Sequence, residues 1–402
     1  MQLFMGLVGV VTLLLCAFAL SENKKAINWR TVLGALGLQA AFAALVLYVP
    51  LGQSLLGAMS SGVASLLSFS EQGIRFVLGD LYDTGFIFAV KVLPLIIFIS
   101  ALISLLYHIG AMQWVIKVIG GGLQRLLKTS RAESFVATGN IFLSQGESPL
   151  LVRPFLNKMT RSELFAVMTG GMASVAGSVL GGYAGLGVEL KYLIAASFMA
   201  APAGLLMAKI LVPETQQVSN QDDIELEKSE FSNGIDAMAA GAMNGMRVAV
   251  AVGTMLIAFI SVIAMANAGL ETLGAAVGVE GLTLQKILGY VFAPIAFIIG
   301  VPASEMVTAA SLIGQKVVMN EFVAFIDFAS IKDTLSANTQ VIITFVLCGF
   351  ANIGSIAIQI GSIGAMAPER RGDVANLGLK AVIAATLANL MSATLAGIFI
   401  AL

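Results

Sequence analysis

Three glutamates, Glu147, Glu305 and Glu321, lie in or beside long apolar stretches. A charge at membrane depth is costly, so each needs a partner or a ligand. An ionised carboxylate accepts hydrogen bonds from hydroxyl and amide donors, which suits it to hold a polar solute. The competing reading is structural, with each Glu paired to a nearby Lys or Arg to hold a loop down. Asn140, Ser174 and Asn352 are neutral oxygen donors near expected helix breaks. Gly170-Gly171 precedes Ser174, and Gly349 and Gly354 flank Asn352. Where glycines loosen a helix, freed carbonyls can coordinate a hard cation such as Na⁺; small residues that only let helices pack closely are the alternative. Lys158 and Lys316 read as structural or snorkelling cations.

These charges recur at one spacing. Glu147, ten residues, Lys158, four residues, Glu163-Leu164-Phe165-Ala166 is one copy; Glu305, ten residues, Lys316, four residues, Glu321-Phe322-Val323-Ala324 is the other. Farther on, Gly171-Met172-Ala173-Ser174-Val175 resembles Gly349-Phe350-Ala351-Asn352-Ile353. A membrane protein built from two such halves is most often a secondary transporter with its site where the halves meet.

The elements that must position these residues follow from hydropathy. The chain has 402 residues, 58% of them hydrophobic and only 11% charged, against roughly 25% charged in soluble domains. Its mean hydropathy is +0.93, so the lipid bilayer is its solvent. A net charge of −1 argues against nucleic acid as a partner. Two cysteines in apolar runs and a single histidine argue against a disulfide framework or an all-protein zinc site. Neither a Walker loop nor a hydrolase motif is present, so no enzymatic activity is expected.

Eight stretches suit spanning helices of ~20 apolar residues: 2–20, 31–50, 84–107, 164–186, 192–212, 241–268, 337–365 and 376–401. The first lacks a basic leader and reads as a retained helix. Residues 51–80 and 112–128 read as amphipathic helices at the interface. Residues 133–163 and 285–315 each carry two short apolar limbs around a centre rich in Gly, Pro and carboxylate. They read as re-entrant hairpins, since irregular backbone at depth must be buried in protein or line a cavity. Lys24, Lys25 and Arg30, and later Arg370 and Arg371, place two loops in the cytoplasm and both termini outside. Residues 214–230 read as a solvated acidic linker.

The run Gly314-Gln315-Lys316-Val317-Val318-Met319-Asn320-Glu321-Phe322-Val323-Ala324-Phe325 resembles the signature of the concentrative nucleoside transporters: a small residue, any residue, Lys, three residues, then Asn-Glu-Phe-Val-Ala-aromatic. Gln145-Gly146-Glu147-Ser148-Pro149-Leu150 with Arg153-Pro154-Phe155 is similar to that family's first hairpin, and Gly349 to Ser355 to its second broken helix. The resemblance covers essentially the whole chain, in a short prokaryotic form. It implies an all-α polytopic protein of the inner (plasma) membrane, with eight transmembrane helices, two re-entrant helical hairpins, an interfacial helix and inverted repeats. It also implies a homotrimer in which a transport domain slides as an elevator. Residues 1–132 then hold the N-terminal helices, interfacial helix and part of the trimer scaffold. The first transport repeat is 133–212, the acidic linker and scaffold helix 213–284, and the second transport repeat 285–402.

The resemblance also implies roles. Gln145 and Glu147 hydrogen-bond the nucleobase, and Val179 packs against it. Glu321, Asn352 and Ser355 hold the ribose hydroxyls, with Phe350 lining that pocket. The Asn140 and Ser174 side chains, with the carbonyls of Leu143 and Val175, form a Na⁺ site. Family members often carry a hydroxyl residue where this chain has Gly146, which removes one possible contact to the base. The expected function is Na⁺-coupled nucleoside symport without a cofactor; the alternative is the same fold driven by protons, with a buried Glu as carrier.

Overall fold

In a bilayer every backbone N–H and C=O must be satisfied within its own segment or by protein, and every regular element among the described residues is helical. The computed structural model describes residues 2–218, 230–276 and 278–402. Asp222, Asp223, Glu225 and Glu227 of the expected linker lie outside the described residues.

The chain opens with α1 (Gln2–Ala19), α2 (Trp29–Leu47) and α3 (Pro50–Leu78). Asn28 caps α2 by accepting from the N–H groups of Arg30 and Thr31, and Pro50 starts α3, where its missing N–H costs nothing. Next come α4 (Phe88–Lys91), α5 (Leu93–His108) and α6 (Ala111–Leu127). Helix α3 buries little more than Gly52, Leu56, Ser70 and Ile74. Helix α6 buries Met112, Ile116, Gly120, Leu123 and Leu127, one face at helical spacing.

The first repeat holds α7 (Arg131–Gly139), a 3₁₀ stretch (Ser148–Lys158), α8 (Arg161–Ala173), α9 (Gly177–Gly185) and α10 (Leu190–Leu211). A long α11 (Gly234–Ala276) follows. The second repeat holds α12 (Leu284–Ile298), α13 (Met306–Val318), α14 (Glu321–Ile331), α15 (Ala337–Leu347), α16 (Gly354–Met366) and α17 (Arg371–Ile400). Helices α8, α10 and α17 form the buried centre, while α11 is exposed along most of its length and α5 is half-buried.

Six of the eight expected spans coincide with helical stretches long and apolar enough to cross a membrane, although 164–186 is interrupted at Ser174 between α8 and α9. The expected span 2–20 becomes α1, whose apolar stretch is only Leu3–Ala19. The expected span 337–365 divides into α15 and α16, because Cys348–Ile353 leave helical geometry. Helix α11 runs well beyond 241–268, to 43 residues, or about 65 Å at 1.5 Å per residue. Hydropathy sees only its apolar middle.

Residues 133–163 and 285–315 each hold two limbs packed on one another, differently built. Helices α12 and α13 pack closely at Gly289 and Gly314: a Cβ on Gly289 would lie 2.7 Å from the Val307 carbonyl, and one on Gly314 2.7 Å from Leu288 Cβ. In the first hairpin the return limb is 3₁₀: Pro154 inside it removes a helical N–H, while Pro149 occupies its first turn. Arg370 pins that limb through hydrogen bonds to the carbonyls of Leu156 at 3.0 Å and Met159 at 2.7 Å. Buried Lys209 anchors the start of α7 by an ion pair to Glu133.

Candidate functional site

Two helix breaks meet at the first hairpin tip. Helix α8 stops because Ser174 takes an extended backbone, φ −110° and ψ 170°. Helix α9 resumes at Gly177, whose N–H donates to the Phe142 carbonyl at 2.9 Å. A Cβ there would also lie 2.9 Å from that oxygen, so only glycine lets the tip close onto the break. The second break follows α15, and its Phe350 N–H donates to the Ser174 carbonyl at 3.1 Å.

One hydrogen-bonded array runs through this junction. The Glu321 carboxylate accepts from the Tyr183 hydroxyl at 3.1 Å and from Asn352 Nδ2 at 3.1 Å. Asn352 Oδ1 accepts from the Ser355 N–H at 3.0 Å, and Ser355 Oγ donates to the Phe350 carbonyl at 2.5 Å. Gln145 Nε2 donates to Ser355 Oγ at 2.9 Å. Gln359 Nε2 donates to the Met168 carbonyl at 2.8 Å and lies 3.4 Å from Gln145 Oε1. Gln145, Glu321, Asn352 and Ser355 are all buried. Gln145, Glu321, Phe350, Asn352 and Ser355 thus share one array, as the sequence suggests.

Glu147 points elsewhere. Its carboxylate accepts from the Ser144 N–H at 3.0 Å and from Asn244 Nδ2 of α11 at 2.8 Å. It borders a cavity of about 380 Å³, lined also by Leu143, Arg153, Ser178, Ser104 and Asn244. Asn244 reaches the tip because Gly241 and Gly245 let α11 press onto α5; a Cβ on Gly245 would lie 2.7 Å from Ile97 Cα. Gly146 faces Ser362, with room for a side chain: a Cβ would lie 3.6 Å from Ser362 Cβ. Val179 is buried in α9 within the hydrophobic core.

Asn140 ends α7, and its backbone carbonyl accepts from Ser174 Oγ at 2.6 Å. Its side-chain Oδ1 and Nδ2 are buried without a hydrogen-bond partner among the described residues. Such an orphaned amide needs a ligand or water. The same Ser174 hydroxyl lies 3.4 Å from the Val175 carbonyl. Asn140, Ser174 and Val175 therefore lie together, with Leu143 one turn along the tip and its N–H on the Gly139 carbonyl at 2.8 Å. An all-oxygen donor set of neutral groups fits a hard monovalent cation.

Tyr183, Gln359, Lys316, Asn389 and Asn244 belong to this neighbourhood, yet sequence reasoning gave none of them a part in it. The one signal the chain offers for Gln359 and Asn389 is a lone polar residue in an apolar run, and for Asn244 the flanking Gly241 and Gly245. Lys316 is 1% exposed, so it is a structural cation and does not snorkel. Glu305 is half-buried and accepts from the N–H of Ser336, the N-cap of α15, at 3.0 Å and from its hydroxyl at 2.9 Å, a structural partner other than the Lys or Arg expected.

Comparison with known proteins supplies the family. A model described as Na⁺ dependent nucleoside transporter C-terminus matches residues 192–397, its N-terminal counterpart matches 8–81, and a nucleoside recognition gate model matches 89–189. An uncharacterized transporter of Haemophilus influenzae is 53% identical over 100% of this chain and 99% of its own. The nucleoside permease NupC of Helicobacter pylori is 46% identical over 99% of this chain and 98% of its own. The structure of CNTnw in an inward-facing substrate-bound state shares 52% identity at a TM-score of 0.96, covering 99% of this chain and 98% of that one. A CNTnw variant in an outward-facing state gives a TM-score of 0.97 at 51% identity, covering 100% and 99%. With matches across its length to transporters and permeases rather than enzymes, this multi-pass plasma-membrane protein belongs to the concentrative nucleoside transporter family.

Proposed function

We propose that the protein is a Na⁺-coupled nucleoside symporter that works by an elevator-type alternating-access movement. The orphaned Asn140 amide beside Ser174, at a helix break hydrogen-bonded to the break that carries Asn352, is the observation behind this reading. A cation among Asn140, Ser174 and the carbonyls of Leu143 and Val175 would sit one peptide away from the sugar-binding loop. Its charge and its fixing of the α8–α9 break would favour the geometry that holds nucleoside. Coupling then follows from linkage: each ligand raises the affinity of the other by one factor.

For the nucleoside, Glu321, Asn352 and Ser355 take the ribose hydroxyls, with Phe350 beside them. The acceptors already turned toward Tyr183 and Asn352 would exchange those partners for two vicinal hydroxyl donors. Gln145 and Glu147 read the base edge, Gly146 lies between them and Val179 packs against the ring. Elevator movement draws support from CNTnw structures in inward- and outward-facing states. It draws further support from the tight α5–α11 pair, in which the exposed apolar residues of α11 offer lipid or a second copy a surface. We assign α5 and α11 to the scaffold of a homotrimer, and residues 133–186 and 285–365 to the moving body.

Uptake of labelled uridine into proteoliposomes tests this. Uphill accumulation under an inward Na⁺ gradient, and none under a pH gradient alone, is the expected result. Accumulation driven by pH alone would give the proton reading instead. Mere equilibration would end the symporter reading.

A further inference from the structure

The last spanning helix places one polar side chain against the ends of both half-helices. Asn389 of α17 is 2% exposed. Its Nδ2 donates to the Ala173 carbonyl at 2.6 Å, the last residue of α8, and lies 3.4 Å from the Cys348 carbonyl, the C-cap of α15. Its Oδ1 accepts from Lys316 Nζ at 2.6 Å, and the same ammonium donates to the Val346 carbonyl at 2.5 Å. A Cβ on Gly349 would overlap the Asn389 amide, so the second break closes onto this side chain only with glycine there.

The chemistry is that of two helix C-termini. Each leaves carbonyls without intrahelical donors and carries partial negative charge. One amide and one ammonium satisfy such carbonyls at both ends and lie against both breaks. Ala173 precedes Ser174 of the candidate cation site, and Cys348 lies four residues before Asn352 of the candidate sugar site.

We propose that Asn389, oriented by Lys316, is a positioning residue that locks the two breaks into one rigid unit, so that a ligand bound at one is felt at the other. This rests on the nucleoside-transport reading above. Neither residue touches a ligand; both act through the loops they hold.

Hydrogen–deuterium exchange of the full chain in nanodiscs decides the matter, read on peptides covering 173–178 and 348–355. Asn389→Asp keeps an acceptor for Lys316 but removes both donors. It is expected to raise exchange in both segments together. Added uridine is expected to protect 173–178 in the parent and to leave that segment unprotected in the variant. Lys316→Arg should retain the transmitted protection and Lys316→Met should lose it. Ser392→Ala, one turn away and bonded to Gln39, should change neither segment. Should Asn389→Asp not fold, Gly349→Ala displaces the same amide and is read identically. Loosening of one segment alone, or transmitted protection that survives in the variant, overturns the proposal. Failure of the parent to bind uridine would instead refute the transport reading, and the paired change in exchange would still decide whether the brace exists.

Discussion

Glu163 and Glu321 hold equivalent places in the repeat and do opposite work. Glu163 is the third residue of α8 and completes a capping box: its carboxylate accepts from the Thr160 N–H at 2.9 Å, and Thr160 Oγ accepts from its own N–H at 3.1 Å. Glu321 is the first residue of α14, because the cap is the Asn320 just before it. That two-residue difference in where the helix starts leaves Glu321 free of capping duty and turns its carboxylate to Tyr183 and Asn352. The lysines diverge likewise: Lys158 is exposed and Lys316 is buried. Glu147 and Glu305 diverge as well, the first reaching Asn244 on α11 and the second bonding Ser336 within its own repeat. The repeat sets the frame, and the departures from it mark where binding takes over from folding.

The largest effect should come from breaking the Glu163/Glu321 contrast. A hydrogen bond to a charged group is worth roughly 1.5–3 kcal/mol, so Glu321→Gln should weaken uridine binding by about ten- to a hundredfold while leaving the melting temperature nearly unchanged. Glu163→Gln should do the reverse, lowering stability by about 0.5–2 kcal/mol through the weakened capping box with little change in affinity. Calorimetry and thermal unfolding read both. Equal uridine affinity in Glu321→Gln and the parent would remove Glu321 from the sugar site.

A middling effect should come from the hairpin tips. Asn244→Ala removes the hydrogen bond between α11 and the Glu147 carboxylate, while Ser336→Ala removes a cap within the second repeat. The first should change uridine uptake rate more than folding stability, and the second should do the opposite, costing about 1 kcal/mol. Matching rate losses in the two variants would erase the distinction between a contact across bodies and one within a body. Gly146→Thr adds a hydroxyl that the space beside Ser362 admits. One added hydrogen bond of about 1 kcal/mol should shift relative purine and pyrimidine uptake by about fivefold. An unchanged nucleoside ranking would place Gly146 away from the base.

How much of this was legible beforehand varies with physical range. Spacing and hydropathy are local, and they point to the helix pairs, to breaks near Ser174 and Asn352, and to Glu321 and Asn352 themselves; Gln145, Phe350 and Ser355 of the same array follow only from the family resemblance. Helix α14 was not separated from its neighbours, since its start depends on which Asn or Thr wins the cap. Asn389 and Gln359 were invisible as partners because their bonds span 216 and 191 residues to Ala173 and Met168. The tilt of Glu147 toward Asn244 depends on how α11 seats on α5, which Gly241 and Gly245 permit but do not announce.

The smallest effect lies at the outer end of the same comparison. Where α14 begins with Glu321, α8 begins with Arg161, and that side chain turns outward. Its guanidinium grips Glu22 of the α1–α2 loop at 3.0 and 3.3 Å, while Lys380 of α17 donates to the same carboxylate at 2.8 Å. The hydrogen bond from Arg161, with help from Lys380 and against partial burial, holds the Glu22 carboxyl below its ordinary 4.5. A depressed carboxyl contributes stability above its unfolded pKa and loses it as pH falls through the lower folded value. The groups are largely exposed, so the contribution should be only about 0.2–1 kcal/mol. Glu22→Gln should therefore melt slightly below the parent at pH 7, and the gap should close as the solution is acidified below 4.5. A gap that persists undiminished in acid would mean that Glu22 acts through packing rather than charge.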